Sequence, residues 1–124
     1  MLSRALFAAA VCAAAPAFAD THFFGAMEDV PLAPGLSEGA GYQFEEAGGR
    51  IIGATANGRA TPAAVRAFYT DTLPALGWSL SPTGTNELVF LRGRERLTLS
   101  VRREGQGAAL DVRLFTRPAS MNAD

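Results

Sequence analysis

The strongest structural signal in the chain is a helical stretch with a clear start and a clear end. Thr61 is a good N-cap, because its hydroxyl group can accept a hydrogen bond from a free N–H of the first turn. Pro62 follows at the first helical position, where its missing N–H has no cost. Pro74 predicts a tightened or kinked last turn, and Gly77 supplies the left-handed residue that ends many helices. These signals predict a helix over about 61–76.

The predicted helix is amphipathic. Its larger side chains recur at helical spacing and form one stripe, which comprises Val65, Phe68, Tyr69, Thr72, Leu73 and Leu76. Polar residues such as Arg66 and Asp71 fall on the opposite side. A short helix gains most of its stability from packing such a stripe against another element. We therefore interpret the aromatic residues of the stripe as core, and we expect a sheet to cover them.

Runs of strand-like residues separated by turn residues surround the helix. Six strands are predicted, over residues 42–46, 50–57, 78–80, 87–92, 96–103 and 108–117. In the second strand the small residues Gly53, Ala54 and Ala56 are expected to lie near the helix. The predicted fold class is therefore α+β: an antiparallel sheet of four to six strands with one amphipathic helix packed on one face.

The last two strands have a predictable register. With a loop at 104–107, three apolar pairs face each other: Leu97 with Leu114, Leu99 with Val112, and Val101 with Leu110. A two-residue turn at 93–94 would add Phe90 opposite Leu97 and would place Val89 and Leu91 on the other face, whereas a one-residue slip would reverse this. That other face, the outer face, also carries Arg96, Thr98, Ser100, Arg102, Asp111, Arg113 and Phe115. Its mixed character suggests a cover, which would be the N-terminal arm, a second copy of the chain or another partner.

The beginning of the chain has the pattern of a signal peptide. Arg4 precedes an apolar run over residues 5–15, and small residues lead up to Ala19. The run is about half the ~20 residues that a membrane-spanning helix needs. We expect cleavage after Ala19 and a protein that is periplasmic or fully secreted. The only cysteine, Cys12, lies within the predicted signal peptide, and no disulfide or lipid anchor is expected.

The remaining chain, about 105 residues, suits one domain. Its predicted organisation is an extended arm over 20–41, a single α+β domain over 42–117 and a loose tail over 118–124. The arm lacks periodicity and contains Pro31 and Pro34, but its large apolar residues suggest that part of it docks on the domain. Without Arg4 this chain has ten arginines and twelve acidic residues, and its net charge of about −2 argues against nucleic acid as a partner.

The residues that usually perform catalysis are sparse. His22 is the only histidine, and it lies in the predicted arm, where rigid positioning of a general base is not expected. The sequence has no P-loop, no nucleotide-binding glycine fingerprint and no Cys/His metal cluster. It therefore predicts no catalytic residue and no bound cofactor. A non-enzymatic binding or interaction module is favoured, and an enzyme of unknown type is the third alternative.

The second alternative is metal binding at the mature N-terminus. Cleavage after Ala19 would give a protein that begins Asp20-Thr21-His22. The free amino group, two deprotonated amides and one imidazole nitrogen then offer the planar four-nitrogen set that Cu(II) and Ni(II) prefer. This resembles the amino-terminal copper and nickel binding motif. A cleavage site shifted by one residue would abolish it.

Four arginines on the expected outer face suggest a different kind of site. Arg96, Arg102, Arg113 and Arg117 together could bind phosphate or carboxylate groups of envelope lipids or glycans. With Phe115 they define a candidate partner face, through which an envelope protein or a second copy could also bind. The simpler interpretation is a solvated face whose charges prevent contact between sheets.

The order of elements also resembles a known kind of protein. A signal peptide, the lead-in DVPLAPGL, the strand GGRII and the helix end FYTDTLPALGW before antiparallel strands are similar to small uncharacterised exported proteins of Gram-negative bacteria. The resemblance covers most of the mature chain. It implies the fold and an exported location, and it implies no activity.

Overall fold

The structure, a computed structural model, describes residues 22–83 and 85–118. Its elements, in chain order, are β1 (His22–Phe23), β2 (Pro31–Leu32), β3 (Leu36–Glu46), β4 (Gly49–Gly58), α1 (Pro62–Thr72), a 3₁₀ helix (Leu73–Leu76), β5 (Ser79–Ser81), β6 (Leu88–Arg92), β7 (Glu95–Glu104) and β8 (Gly107–Thr116). The predicted signal peptide (1–19) and all but the first residue of the predicted tail (118–124) lie outside the described residues.

Six strands form one antiparallel sheet in the order β3-β4-β8-β7-β6-β5, and β1 pairs with β2 in a separate two-stranded sheet. The helix α1 packs against β7 and β8. This confirms the predicted α+β class, with an antiparallel sheet and one helix on one face. The predicted pairs between β7 and β8 are also confirmed, as is the predicted pair Phe90 with Leu97, and Leu88 pairs with Leu99 in the same register.

The helix begins and ends as its sequence predicts. Thr61 Oγ1 accepts a hydrogen bond from the N–H of Ala64 at 3.1 Å, which satisfies one free donor of the first turn. Pro74 lies within the 3₁₀ helix that tightens the last turn, and Gly77 has the left-handed φ of 96°. The helix therefore stops where the chain turns towards β5.

Three details of the predicted strands differ from the structure. The first long strand begins at Leu36, so the part of the predicted arm after that residue belongs to the sheet. The β7–β8 connection is a two-residue turn at Gly105 and Gln106 rather than a four-residue loop, which leaves the register unchanged. Gly53 faces away from the helix, because side chains alternate along β4 and its neighbours Ala54 and Ala56 are the ones buried on the helix side.

The segment before β3 packs beside α1 and not on the outer face. Its residues Phe24, Met27, Val30 and Ala33 are buried in the same apolar core as the helix and the inner face of the sheet. The hydroxyl of Tyr69 donates to the Pro31 carbonyl at 2.7 Å and accepts from the Ala33 N–H at 3.0 Å. The inner face is therefore covered by two neighbours, the helix and this segment, and the interpretation that the arm covers the outer face is wrong.

Candidate functional site

The outer face of the six-stranded sheet is the candidate site. Strand pairing places five of its side chains in one row across five strands: Phe44, Ile51, Phe115, Arg96 and Leu91. Neighbouring strands are about 4.8 Å apart, so the row is about 19 Å long. Phe44 is 47% exposed and Leu91 is 43% exposed. Large apolar side chains are thus left in contact with water on this face, which is a common mark of an interaction surface.

Tyr42 widens the apolar row at the β3 edge. Its ring stacks on that of Phe44, with centroids 5.9 Å apart and planes 17° from parallel. The ring also lies across Gly53, where an added Cβ would be only 2.2 Å from the ring atom Cζ. Glycine at this position therefore allows the tyrosine to lie flat over β4. Together the two rings form an aromatic platform that is about half exposed.

Arginines lie within the apolar row and beside it. The guanidinium carbon of Arg96 is 5.7 Å from the centre of the Phe115 ring, a cation–π geometry. Arg94 lies in the β6–β7 turn and donates to the Arg117 carbonyl at 2.6 Å. Among residues 22–83 and 85–118, with the side chain of Glu46 excepted, no carboxylate lies within ion-pair distance of Arg94, Arg96, Arg113 or Arg117. Their charges are therefore available to an anionic partner.

Arg92, in contrast, is fully engaged on the inner side. It donates to Glu95 and to the Leu76 carbonyl, forms an ion pair with Asp29, and lies 4.2 Å from the centre of the Trp78 ring. Burial acts to lower the pKa of this guanidinium, but the hydrogen bonds that it donates to the two carboxylates, together with their negative charge, outweigh burial and the pKa is raised. Glu95 is thus held by Arg92, which weakens its effect on the arginines of the outer face.

The outer face has two depressions of different character. One, of about 200 Å³, is largely polar, and its lining includes Tyr42, Glu87, Thr98, Ser100, Asp111 and Arg113. The other, of about 210 Å³, is lined by Leu91, Gly93, Arg94, Glu95, Arg96, Phe115 and Arg117. The second combines an apolar floor with three arginines. We call it the arginine depression.

The residues of the predicted partner face are not all in one place. Arg96 and Phe115 are directly paired on β7 and β8, and Arg113 lies two residues before Phe115 on the same side of β8. Arg102 lies nearer the opposite end of β7, where it forms an exposed ion pair with Asp111 at 3.2 Å. Arg102 is therefore separated from the apolar row and has its own carboxylate partner.

Sequence reasoning did not include Tyr42, Phe44 and Ile51 in the site. Their membership depends on how β3 and β4 join β8, a long-range pairing that apolar periodicity within each strand does not reveal. The sequence places Arg94 in a turn, and its position beside Arg117 follows only from the fold. The alternation of Tyr42, Gln43 and Phe44 was the available signal, because it places both aromatic rings on one side of a strand.

Of the three residues of the predicted metal site, only His22 lies among the described residues. His22 is exposed and lies in β1 opposite Leu32, whereas Asp20 and Thr21 lie outside the described residues. Within the described part of the chain, no three His, Cys, Asp or Glu side chains are grouped so that they could hold a metal ion. In the same residues, no helix has the length and apolar character needed to cross a membrane.

Over the described residues the fold defines a class, an α+β protein in which the helix α1 packs on a six-stranded antiparallel sheet. No protein-family model and no curated protein sequence matches the chain. Among solved structures, the crystal structure of CalU16 from Micromonospora echinospora is similar, with a TM-score of 0.40 and 16% sequence identity. The similarity covers 69% of this chain and 73% of that chain. So distant a likeness assigns no function, which has to be argued from the outer face itself.

Proposed function

We propose that this protein is an exported, non-enzymatic binding module that holds its partner on the outer face of the sheet. The observation that carries the proposal is the contrast between the two faces. The helix and the segment before β3 bury the inner face, whereas the outer face leaves Tyr42, Phe44 and Leu91 more than 40% exposed. The N-terminal pattern of a signal peptide supports a location in the periplasm or outside the cell.

The chemistry of the face suits a partner that is both apolar and anionic. Aromatic and arginine side chains are the types most often enriched at binding surfaces, because they combine a large contact area with directional polar groups. Here Arg96 and Phe115 lie together at the centre of the row, and neither belongs to the core of the fold. An envelope protein, lipid or glycan that carries phosphate or carboxylate groups would meet both features.

The proposal is tested by native mass spectrometry of the protein purified from the envelope of its own host. The wild-type protein is expected to retain a partner that Phe115→Glu loses, because the new carboxylate lies within the apolar row beside the arginines. Arg103→Glu is the matched control, since Arg103 is an exposed arginine of β7 that lies opposite Ala108 near the far end of the strand. Retention of every partner by Phe115→Glu would refute the proposal.

A second candidate function is Cu(II) or Ni(II) binding through Asp20-Thr21-His22. The observation that favours it is the exposure of His22, which leaves its imidazole accessible to a metal ion. The mature protein is expected to take up one Cu(II) ion, and His22→Ala is expected to abolish this uptake. Isothermal titration with CuCl₂ measures both. Equal uptake by the two proteins would exclude the site.

A further inference from the structure

We propose that the outer face binds a single molecule of a phosphate-bearing lipid. Its phosphate would lie among Arg94, Arg96 and Arg117, and its acyl chain would lie along Phe115, Ile51 and Phe44. This inference rests on the proposed function, and it gives the partner a chemical class. It is carried by the arginine depression, by the apolar row that continues from it, and by the charges around both.

The arginine depression has the composition expected for an anionic headgroup. Arg94, Arg96 and Arg117 contribute to its lining, and guanidinium groups bind phosphate oxygens through paired, charge-assisted hydrogen bonds. Glu95 is the only acidic residue of the lining, and its carboxylate accepts from Arg92 Nε at 3.0 Å. The lining therefore carries an excess of positive charge, with three arginines and one glutamate that is already bound to Arg92.

The floor of the depression shows that its ligand also has an apolar part. Leu91 and Phe115 form the apolar part of its lining, and a free phosphate ion would leave them exposed to water. The apolar row runs on from Phe115 through Ile51 to Phe44. From Phe115 to Phe44 the row crosses three neighbouring strands and is about 10 Å long, so it can contact about two thirds of one acyl chain, which spans about half of the ~30 Å hydrocarbon core of a bilayer.

The distribution of polar groups argues against a glycan at the same place. The hydroxyl and carboxylate groups that would bind sugar hydroxyls lie in the other depression, which is lined by Glu87, Ser100 and Asp111. Two of its acidic groups already have partners, because Asp111 is paired with Arg102 and Glu87 accepts from Ser100. The apolar row beside the arginine depression has few polar groups for a sugar to engage.

Charge also argues against a second copy of the chain. A two-fold interface brings the same patch of both copies together. On this face it would bring Arg94, Arg96 and Arg117 close to their own equivalents, while Glu95, the acidic residue of the same lining, is already bound to Arg92. A ligand of opposite charge removes this repulsion, and a phosphate does so directly.

The test is a titration of the mature protein with dodecyl phosphate below its critical micelle concentration. Isothermal calorimetry measures the affinity and the stoichiometry, and amide NMR locates the binding site. We expect one molecule to bind and to shift the amide signals of Leu91, Phe115 and Phe44. Inorganic phosphate and dodecyl maltoside, which each retain one half of the probe, are expected to bind at least tenfold more weakly. Equal binding of either one would overturn the inference.

Variants locate the site. Arg96→Gln and Arg117→Gln are expected to weaken dodecyl phosphate binding at least tenfold, and Phe44→Ser to weaken it without affecting the weak binding of inorganic phosphate. Arg103→Gln is the control, with the same charge change elsewhere on β7. All four positions are exposed, and circular dichroism checks that each variant is folded. Unchanged binding in both arginine variants would overturn the inference.

The outcome also separates this inference from the proposed function. If dodecyl phosphate does not bind but a partner from the host is lost in Phe115→Glu, the lipid inference is refuted and the binding module stands. If vesicles of anionic phospholipid bind the protein while the monomeric probe does not, the single-molecule site is refuted. If neither probe nor host partner depends on the outer face, both proposals fail.

Discussion

Removing one buried hydroxyl group, by Tyr69→Phe, is expected to destabilise the contact between α1 and the segment before β3. The Tyr69 side chain is completely buried, and its hydroxyl makes the two hydrogen bonds to Pro31 and Ala33 described above. In the variant the Ala33 N–H has no partner, which costs about 1–3 kcal/mol, and the Pro31 carbonyl loses a bond worth about 1 kcal/mol. The free energy of unfolding is therefore expected to fall by about 2–4 kcal/mol.

Urea unfolding measures this loss, and hydrogen exchange locates it. The amide of Ala33 is expected to exchange faster in Tyr69→Phe, whereas amides in the centre of β7 keep their protection relative to global unfolding. Tyr42→Phe is the matched control, because Tyr42 is 48% exposed and the same change there is expected to stay within about 0.5 kcal/mol. Equal losses for the two variants, or an unchanged Ala33 amide, would refute the reasoning.

Three further predictions concern pH, glycine and an ion pair. Burial raises the pKa of Tyr69 above its usual value of about 10, so above that pH the folded state keeps a proton that the unfolded chain loses. The free energy of unfolding is therefore expected to fall above about pH 10, and to fall less steeply in Tyr69→Phe, which urea unfolding at alkaline pH measures. Gly58→Ala is expected to lower the free energy of unfolding by about 2 kcal/mol or more, because the added Cβ would meet a backbone carbonyl oxygen. Gly53→Ala would meet only the exposed and movable ring of Tyr42, so its loss in thermal unfolding is expected to be less than about 1 kcal/mol. Asp29→Asn is expected to lower the free energy of unfolding by at most about 1 kcal/mol, since this carboxylate is half exposed. Arg92→Met is expected to lower it further, because this variant also loses the hydrogen bonds to Glu95 and to the Leu76 carbonyl, and urea unfolding midpoints measure the difference.

The elements with local signals were predictable from sequence. The helix was marked by Thr61 and Gly77 and by its apolar stripe, and the β7–β8 register followed from three apolar pairs within one hairpin. Such features depend on residues that are close in sequence, so periodicity and turn chemistry suffice. The same alternation placed Arg96 and Phe115 on one face, and these two residues are the part of the candidate site that could be foreseen.

The features that depended on distant pairing were not predictable. The start of β3 at Leu36 was hidden by Gly39 and Gly41, which weaken a strand pattern and here accompany an irregularity in the pairing with β4. The burial of Phe24 and Met27 has no period, because this segment is irregular and is fixed by its contacts with the helix and core. Tyr42 and Phe44 join the site only because β4 pairs with both β3 and β8.

The strand order has a consequence for how the chain is made. The last strand, β8, lies between β4 and β7, so it alone connects the early β3–β4 hairpin to the later β5–β6–β7 group. A nascent chain that has not yet released residues 107–116 from the ribosome holds two half-sheets with exposed inner edges, and neither has its complete core. Closing the sheet must wait until residues 107–116 are free to pair, and until then neither half-sheet has its complete core, so the chain is expected to stay loosely folded.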